Sequence, residues 1–73
     1  MKNGLVNFLK KLINESVSVE TKDNLTIKGI IIKVDKFSNL YLKDVKIGDS
    51  NLEKLNIKGS NIRYIKFREI QKE

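Results

Sequence analysis

Two short stretches of this chain, Val34-Asp35-Lys36-Phe37-Ser38-Asn39-Leu40 and Ile57-Lys58-Gly59-Ser60-Asn61-Ile62-Arg63-Tyr64-Ile65, carry residues whose types could do chemistry. Each places an asparagine, with an aromatic ring or a cation, on a tight turn between apolar strands. A turn needs only glycine, asparagine or aspartate. A pocket for a nucleobase needs more: a flat surface to stack on, a cation, and an amide to read the base edge. Phe37 offers one face, and base–aromatic stacking contributes about 1–3 kcal/mol. Lys58 can cover the other face for roughly 0.5–2 kcal/mol. The Asn39 amide donates and accepts at once, which suits the edge of uracil. Asp35 is expected to hold its turn through backbone hydrogen bonds, because its charge would repel phosphate. Gly59 reads as a backbone necessity. Asn61 is expected to support the pocket or bind the base from the second turn.

Taken singly, each of these residues has an ordinary structural explanation. The elements around them must therefore bring the two turns together. Leu5, Phe8, Leu9, Leu12 and Ile13 repeat at helical spacing, predicting a helix over about residues 4–13. Asn3 is a candidate N-cap and Asn14 a stop. From Ser16 the apolar period becomes two. Val17 and Val19 form a first strand, and Lys22-Asp23-Asn24 a turn. Leu25 and Ile27 share one face of the second strand. After Gly29 the inward parity is expected to pass to Ile30, Ile32 and Val34, so Gly29 marks a bulge or bend in one long strand and supports the fold there. Leu40 to Ile47 forms a third strand and Leu52 to Ile57 a fourth, with Gly48-Asp49-Ser50-Asn51 as the turn between them. Lys58 to Asn61 is expected to close a tight hairpin onto Ile62–Phe67, with Gly59 in a type II′ turn. The predicted fold is mainly β: an N-terminal α-helix, then a five-stranded, strongly bent antiparallel small barrel of SH3-like or oligonucleotide-binding type. The whole of 1–73 reads as one domain. Its first motif region spans about 16–47, its second about 52–67, and a polar tail 68–73.

Bulk composition narrows the function. With 73 residues, no cysteine and no histidine, the chain cannot use disulfides, and a metal site would have to use carboxylates and carbonyls, of which no cluster appears. A domain of this size buries only about 60% of its unfolded surface, so oligomerisation is the expected support. The net charge of +6 points to a polyanionic partner. No apolar run approaches the roughly 20 residues of a membrane span, and no signal-peptide pattern opens the chain. We therefore expect a soluble protein with no cofactor, metal or small-molecule substrate. With no paired-carboxylate site and no phosphate-binding glycine loop, no enzyme is expected.

Together the helix, the bent second strand and the two turn motifs resemble the Sm and Sm-like proteins. Asp35, Lys36, Phe37, Ser38 and Asn39 stand at the positions of the first family motif. Ile57, Lys58, Gly59, Ser60 and Asn61 stand at those of the second. Leu5–Leu12, and Leu52–Leu55 leading into Ile62-Arg63-Tyr64, resemble a branch of the spliceosomal core subunits. Ser38 replaces the family's usual methionine and Lys58 the commoner arginine, and the Arg-Gly tail of that branch is not expected here. The resemblance implies a subunit of a seven-membered ring of Sm chains. Such a ring binds a single-stranded, uridine-rich site in small nuclear RNA for ribonucleoprotein assembly and pre-mRNA splicing. It implies a nuclear location, with assembly in the cytoplasm allowed. Phe37, Asn39, Lys58, Gly59 and Asn61 are then the RNA-binding residues. Leu55, Ile57, Ile65 and Phe67 are the candidate contacts between strands of neighbouring subunits. One alternative is an Sm-like ring acting on oligo-uridine RNA ends in processing or decay. Another is an SH3-like protein scaffold without RNA, which the placing of Phe8, Phe37, Tyr41, Tyr64 and Phe67 at mostly core positions disfavours.

Overall fold

Alternation of apolar residues after Ser16 produces five strands, described in a computed structural model over residues 4–67. A helix, α1 (Gly4–Lys10), precedes β1 (Ser16–Thr21), β2 (Thr26–Val34), β3 (Leu40–Ile47), β4 (Ser50–Ile57) and β5 (Ile62–Phe67). All pairings are antiparallel, and the strands lie in the order β4-β3-β2-β1-β5. The predicted Asn3 cap and the 68–73 tail fall outside the described residues.

The helix is shorter than its apolar spacing predicts. It ends at Lys10 and passes through turns to Asn14, whose φ of 77° is the left-handed stop expected of asparagine. The Asn14 N–H donates to Ile31 O at 2.6 Å and the Ile31 N–H to Glu15 O at 3.2 Å, tying the linker to β2. Val6, Leu9 and Leu12 enter the core, Ile13 is half-buried, and Phe8 is 44% exposed. The buried stripe is thus rotated from the expected one.

The long second strand is confirmed, but its change of face lies elsewhere. Ile27, Gly29 and Ile31 all point inward, and the parity flips only between Ile31 and Val34. Ile32 is the extra residue of a bulge, because Ile31 pairs with Leu42 while Lys33 pairs with Tyr41. Ile30 is only half-buried, and Leu25 is exposed. A second irregularity lies opposite Gly29, where β3 carries the extra residue, Asp44, at φ 52°. That bulge produces the change of buried parity from Leu42 to Val45. The irregularity expected at Gly29 is present, with the extra residue on β3. A Cβ there would sit 3.1 Å from Lys43 O and 3.3 Å from Leu42 Cβ, so glycine lets β3 lie close against β2. The core gathers Val6, Leu9 and Leu12 with Val17, Val19, Ile27, Ile31, Val34, Leu40, Leu42, Val45 and Ile57.

The predicted β4–β5 hairpin does not form. Lys58 to Asn61 adopts a single 3-10 turn, Gly59–Asn61, that carries the chain from one edge of the sheet to the other, where β5 pairs with β1. Gly59 does not have the positive φ of a type II′ turn, which among the described glycines belongs to Gly48 (φ 57°) between β3 and β4.

Candidate nucleic-acid interface

The β2–β3 connection is built around one carboxylate. Asp35 Oδ1 accepts the N–H of Phe37 at 2.9 Å and of Asn39 at 3.0 Å. Its Oδ2 accepts the Asn39 side-chain amide at 2.9 Å and the Tyr41 hydroxyl at 3.1 Å. Backbone bonds from Ser38 N–H to Asp35 O and from Asp35 N–H to Asn39 O close the loop, and Ser38 takes φ 67°. Desolvation raises the Asp35 pKa, but the hydrogen bonds from Asn39, Phe37 and Tyr41 outweigh it and leave the carboxyl below its ordinary 3.8. The hydrogen bond to the Asp35 carboxylate, its negative charge and desolvation all raise the Tyr41 phenol above 10.0.

This carboxylate orients Asn39 toward the second turn. Asn39 Oδ1 accepts the Gly59 N–H at 2.8 Å, linking residues 20 apart in sequence. The approach is tight: a Cβ on Gly59 would lie 2.8 Å from both Phe37 O and Ser38 O. Gly59 is therefore required by backbone proximity. The two turns are brought together as the sequence analysis expects. They frame a pocket of about 260 Å³ lined by Ser38 and Gly59, by Phe8 and Leu9 of α1, and by Arg63 and Tyr64 of β5.

The predicted site residues divide between this junction and its surroundings. Phe37 is 70% exposed, with Lys36 Nζ over its ring 5.4 Å from the centroid. Lys58 is exposed at the start of the second turn. Asn39 has both ends of its amide engaged, leaving one N–H and one lone pair for a ligand. Asn61 turns away from Asn39. Its amide donates to Asp23 Oδ2 at 3.4 Å, and with Lys58 it lines a separate depression of about 380 Å³ reaching Leu25 and Ile27. Ile57, expected at a subunit contact, has its side chain in the core at 4% exposure; Leu55 and Ile65 are half-buried and Phe67 is 40% exposed. Phe8, Phe37, Tyr64 and Phe67 are exposed, so aromatic placement gives no ground against a protein-binding surface.

Sequence reasoning missed three participants: Lys36 over Phe37, Tyr41 on Asp35, and Arg63, whose guanidinium donates to Asn24 Oδ1 at 3.1 Å. Tyr41 was the most accessible of these, since it leads back along β3 from a loop that already contains Asp35.

A strongly bent five-stranded sheet with an exposed aromatic ring and an oriented amide on adjoining turns defines a small β-barrel of Sm-like form. The LSM domain family matches residues 7–67, and the chain belongs to this Sm and Sm-like family. The chain is 33% identical over 66 residues to the probable U6 snRNA-associated Sm-like protein LSm2 of Dictyostelium discoideum, covering 81% of this chain and 56% of that protein. It is 46% identical over 57 residues to the small nuclear ribonucleoprotein Sm D1 of Saccharomyces cerevisiae, covering 75% of this chain and 39% of that one. The chain thus spans roughly half the length, or less, of these two relatives. Among solved structures it resembles an SmAP (LSm) protein from Methanococcus vannielii, with TM-score 0.77 and 31% identity over 84% of this chain and 91% of that one. It also resembles the SmAP1 heptamer of Pyrobaculum aerophilum, with TM-score 0.80 and 25% identity over 94% of this chain and 99% of that one.

Proposed function

We propose that this chain is a subunit of a ring-shaped Sm-type core that binds a single-stranded, uridine-rich site in small nuclear RNA, one nucleotide per protomer, in nuclear ribonucleoproteins of the splicing machinery. The observation that carries this reading is the Asn39–Gly59 hydrogen bond, which joins the loop bearing the exposed Phe37 to the turn that Lys58 opens. In this reading Phe37 stacks on one face of the base and Lys58 covers the other. The remaining Asn39 N–H and lone pair meet the uracil edge. The role of Asp35 is to hold Asn39 in that orientation. One pocket contributes only a few kcal/mol, so useful affinity requires several pockets in one assembly. The unpaired edges of β4 and β5 offer the means: the β4 edge of one protomer pairs with the β5 edge of the next. The names of the relatives support the choice of RNA, since one is associated with U6 small nuclear RNA and another is a small nuclear ribonucleoprotein.

Photocrosslinking of the assembled protein to uridine-rich RNA tests the pocket. Phe37→Ala and Lys58→Ala alter exposed side chains and should cut crosslinking several-fold while the assembly stays intact by native mass spectrometry. If both variants crosslink like the parent protein, the pocket is misassigned. Sequencing the RNA that co-purifies with the endogenous complex identifies its class.

A further inference from the structure

The face of the sheet turned away from the core carries lysines that the pocket does not use. Strand register places Lys66, Ser18, Lys28, Lys46 and Asn51 in one row across all five strands. The adjacent row runs Ser16, Ile30, Lys43 and Lys54. Lys28 is paired directly with Lys46, and Lys43 with Lys54, and all four are exposed. Like charges directly opposite one another destabilise a sheet. Two such pairs in neighbouring rows are therefore a cost that folding does not explain. Acidic side chains border these pairs: Asp44 follows Lys43 and Glu53 precedes Lys54 in sequence. Glu20 accepts a 2.6 Å hydrogen bond from Thr26, and Asp44 and Glu53 sit at the β3 bulge and the strand opposite it. Beside Gly29 the face dips into a shallow depression of about 460 Å³, where Lys28, Lys66, Ser16 and Ser18 are joined by Asp44 and, at its apolar side, by Ile30 and Phe67.

We propose that this outer face is a second RNA-binding surface, holding the sugar–phosphate backbone of nucleotides that flank the pocket-bound tract. The choice of RNA rests on the function proposed above and on the composition of the face. Protein interfaces are depleted in lysine and need apolar anchors, and Ile30 is the one apolar residue in these two rows. Rows of lysine with serine hydroxyls match a phosphate backbone, and these two rows hold no aromatic ring on which a base could stack. The surface therefore adds affinity without sequence preference.

The test uses the assembled protein, a short oligo-uridine that only fills the pockets, and a longer RNA bearing the same tract with flanking nucleotides. Binding is followed by fluorescence anisotropy over a range of salt. Lys28→Gln combined with Lys46→Gln should leave the short oligomer's Kd unchanged and weaken the longer RNA several-fold. It should also lower the slope of log K against log salt by about 0.7 for each phosphate that is no longer neutralised. Lys43→Gln with Lys54→Gln gives an independent second pair, and thermal melting reports whether either pair disturbs folding. An unchanged slope for the longer RNA in both pairs overturns the proposal. Displacement of the longer RNA from this face by poly-glutamate as readily as by poly-uridine also overturns it, in favour of an acidic protein. If the parent protein ignores the short oligomer while the lysine pairs still lower the slope, the outer face stands and the pocket reading falls.

Discussion

Asp35 shows how one side chain can organise a loop and orient the amide that joins it to a second turn. It receives four hydrogen bonds, two from backbone N–H groups and two from side chains. Because its pKa in the folded chain lies below the ordinary 3.8, its contribution is fully present above that value. The contribution is lost as pH falls through the lower folded value. NMR of the Phe37 ring and Asn39 amide should therefore show the loop loosening only in that acid window. Asp35→Asn should show a loosened loop at neutral pH and no such acid transition; a transition that persists in it would belong to another group. Gly59 and Gly48 make a second test. Gly59→Ala meets two carbonyl oxygens and should cost about 1–3 kcal/mol in thermal or chemical unfolding. Gly48→Ala has open space and loses only the ease of a positive φ, roughly 1 kcal/mol. Only the first should also impair RNA crosslinking. Asp35's role was legible in the sequence because aspartate two residues before a turn N–H is a local signal. The bond from Gly59 to Asn39 was not, since nothing local to residue 39 indicates which distant N–H will face it.

Strands carried a different mixture of legible and hidden information. The ends of β3 and β5 followed directly from their apolar runs and turn residues. The change of face in β2 was detected but misplaced, and the reason is physical. Ile30, Ile31 and Ile32 form an unbroken apolar run, so a flip after Gly29 and a flip after Ile31 fit the pattern equally well. Only pairing with β3 decides between them. The consequence is measurable: Ile31→Ala removes a fully buried side chain and should cost about 2–5 kcal/mol. Ile32→Ala, at a position 36% exposed, should change stability by about 0.5 kcal/mol. Denaturant unfolding at matched protein concentration compares them, and equal losses would contradict the bulge at Ile32. The hairpin expected at Lys58–Asn61 failed for a similar reason. A glycine–asparagine turn signals a reversal of the chain but not which strand the next one will join.

At the scale of the whole sheet, the strand order leaves β4 and β5 as two edges unpaired among the described residues. Exposed apolar side chains lie along both, Leu52 at 41% on β4 and Tyr64 and Phe67 at 46% and 40% on β5. Phe67 also meets Phe8 edge-on at a centroid distance of 5.8 Å, so α1 braces that edge. Placing a charge on either edge, with Leu52→Glu or Phe67→Glu, should convert the assembly to smaller species in native mass spectrometry. The strand content of the protomer should survive in circular dichroism. An assembly of unchanged mass in both variants would move the contact elsewhere. That such edges would exist was readable from an odd number of short strands in a small barrel. Their identity required the crossover that the 3-10 turn makes, and that crossover is set by tertiary packing.

Because those two edges belong to different strands, each protomer has a direction. A β4-to-β5 contact leaves one β4 and one β5 unsatisfied at the ends of any arc, however many subunits it contains. A partial assembly is then as adhesive as a single protomer, and only closure removes the last exposed strands. Halting short of closure would yield open filaments or aggregates in place of a stable intermediate.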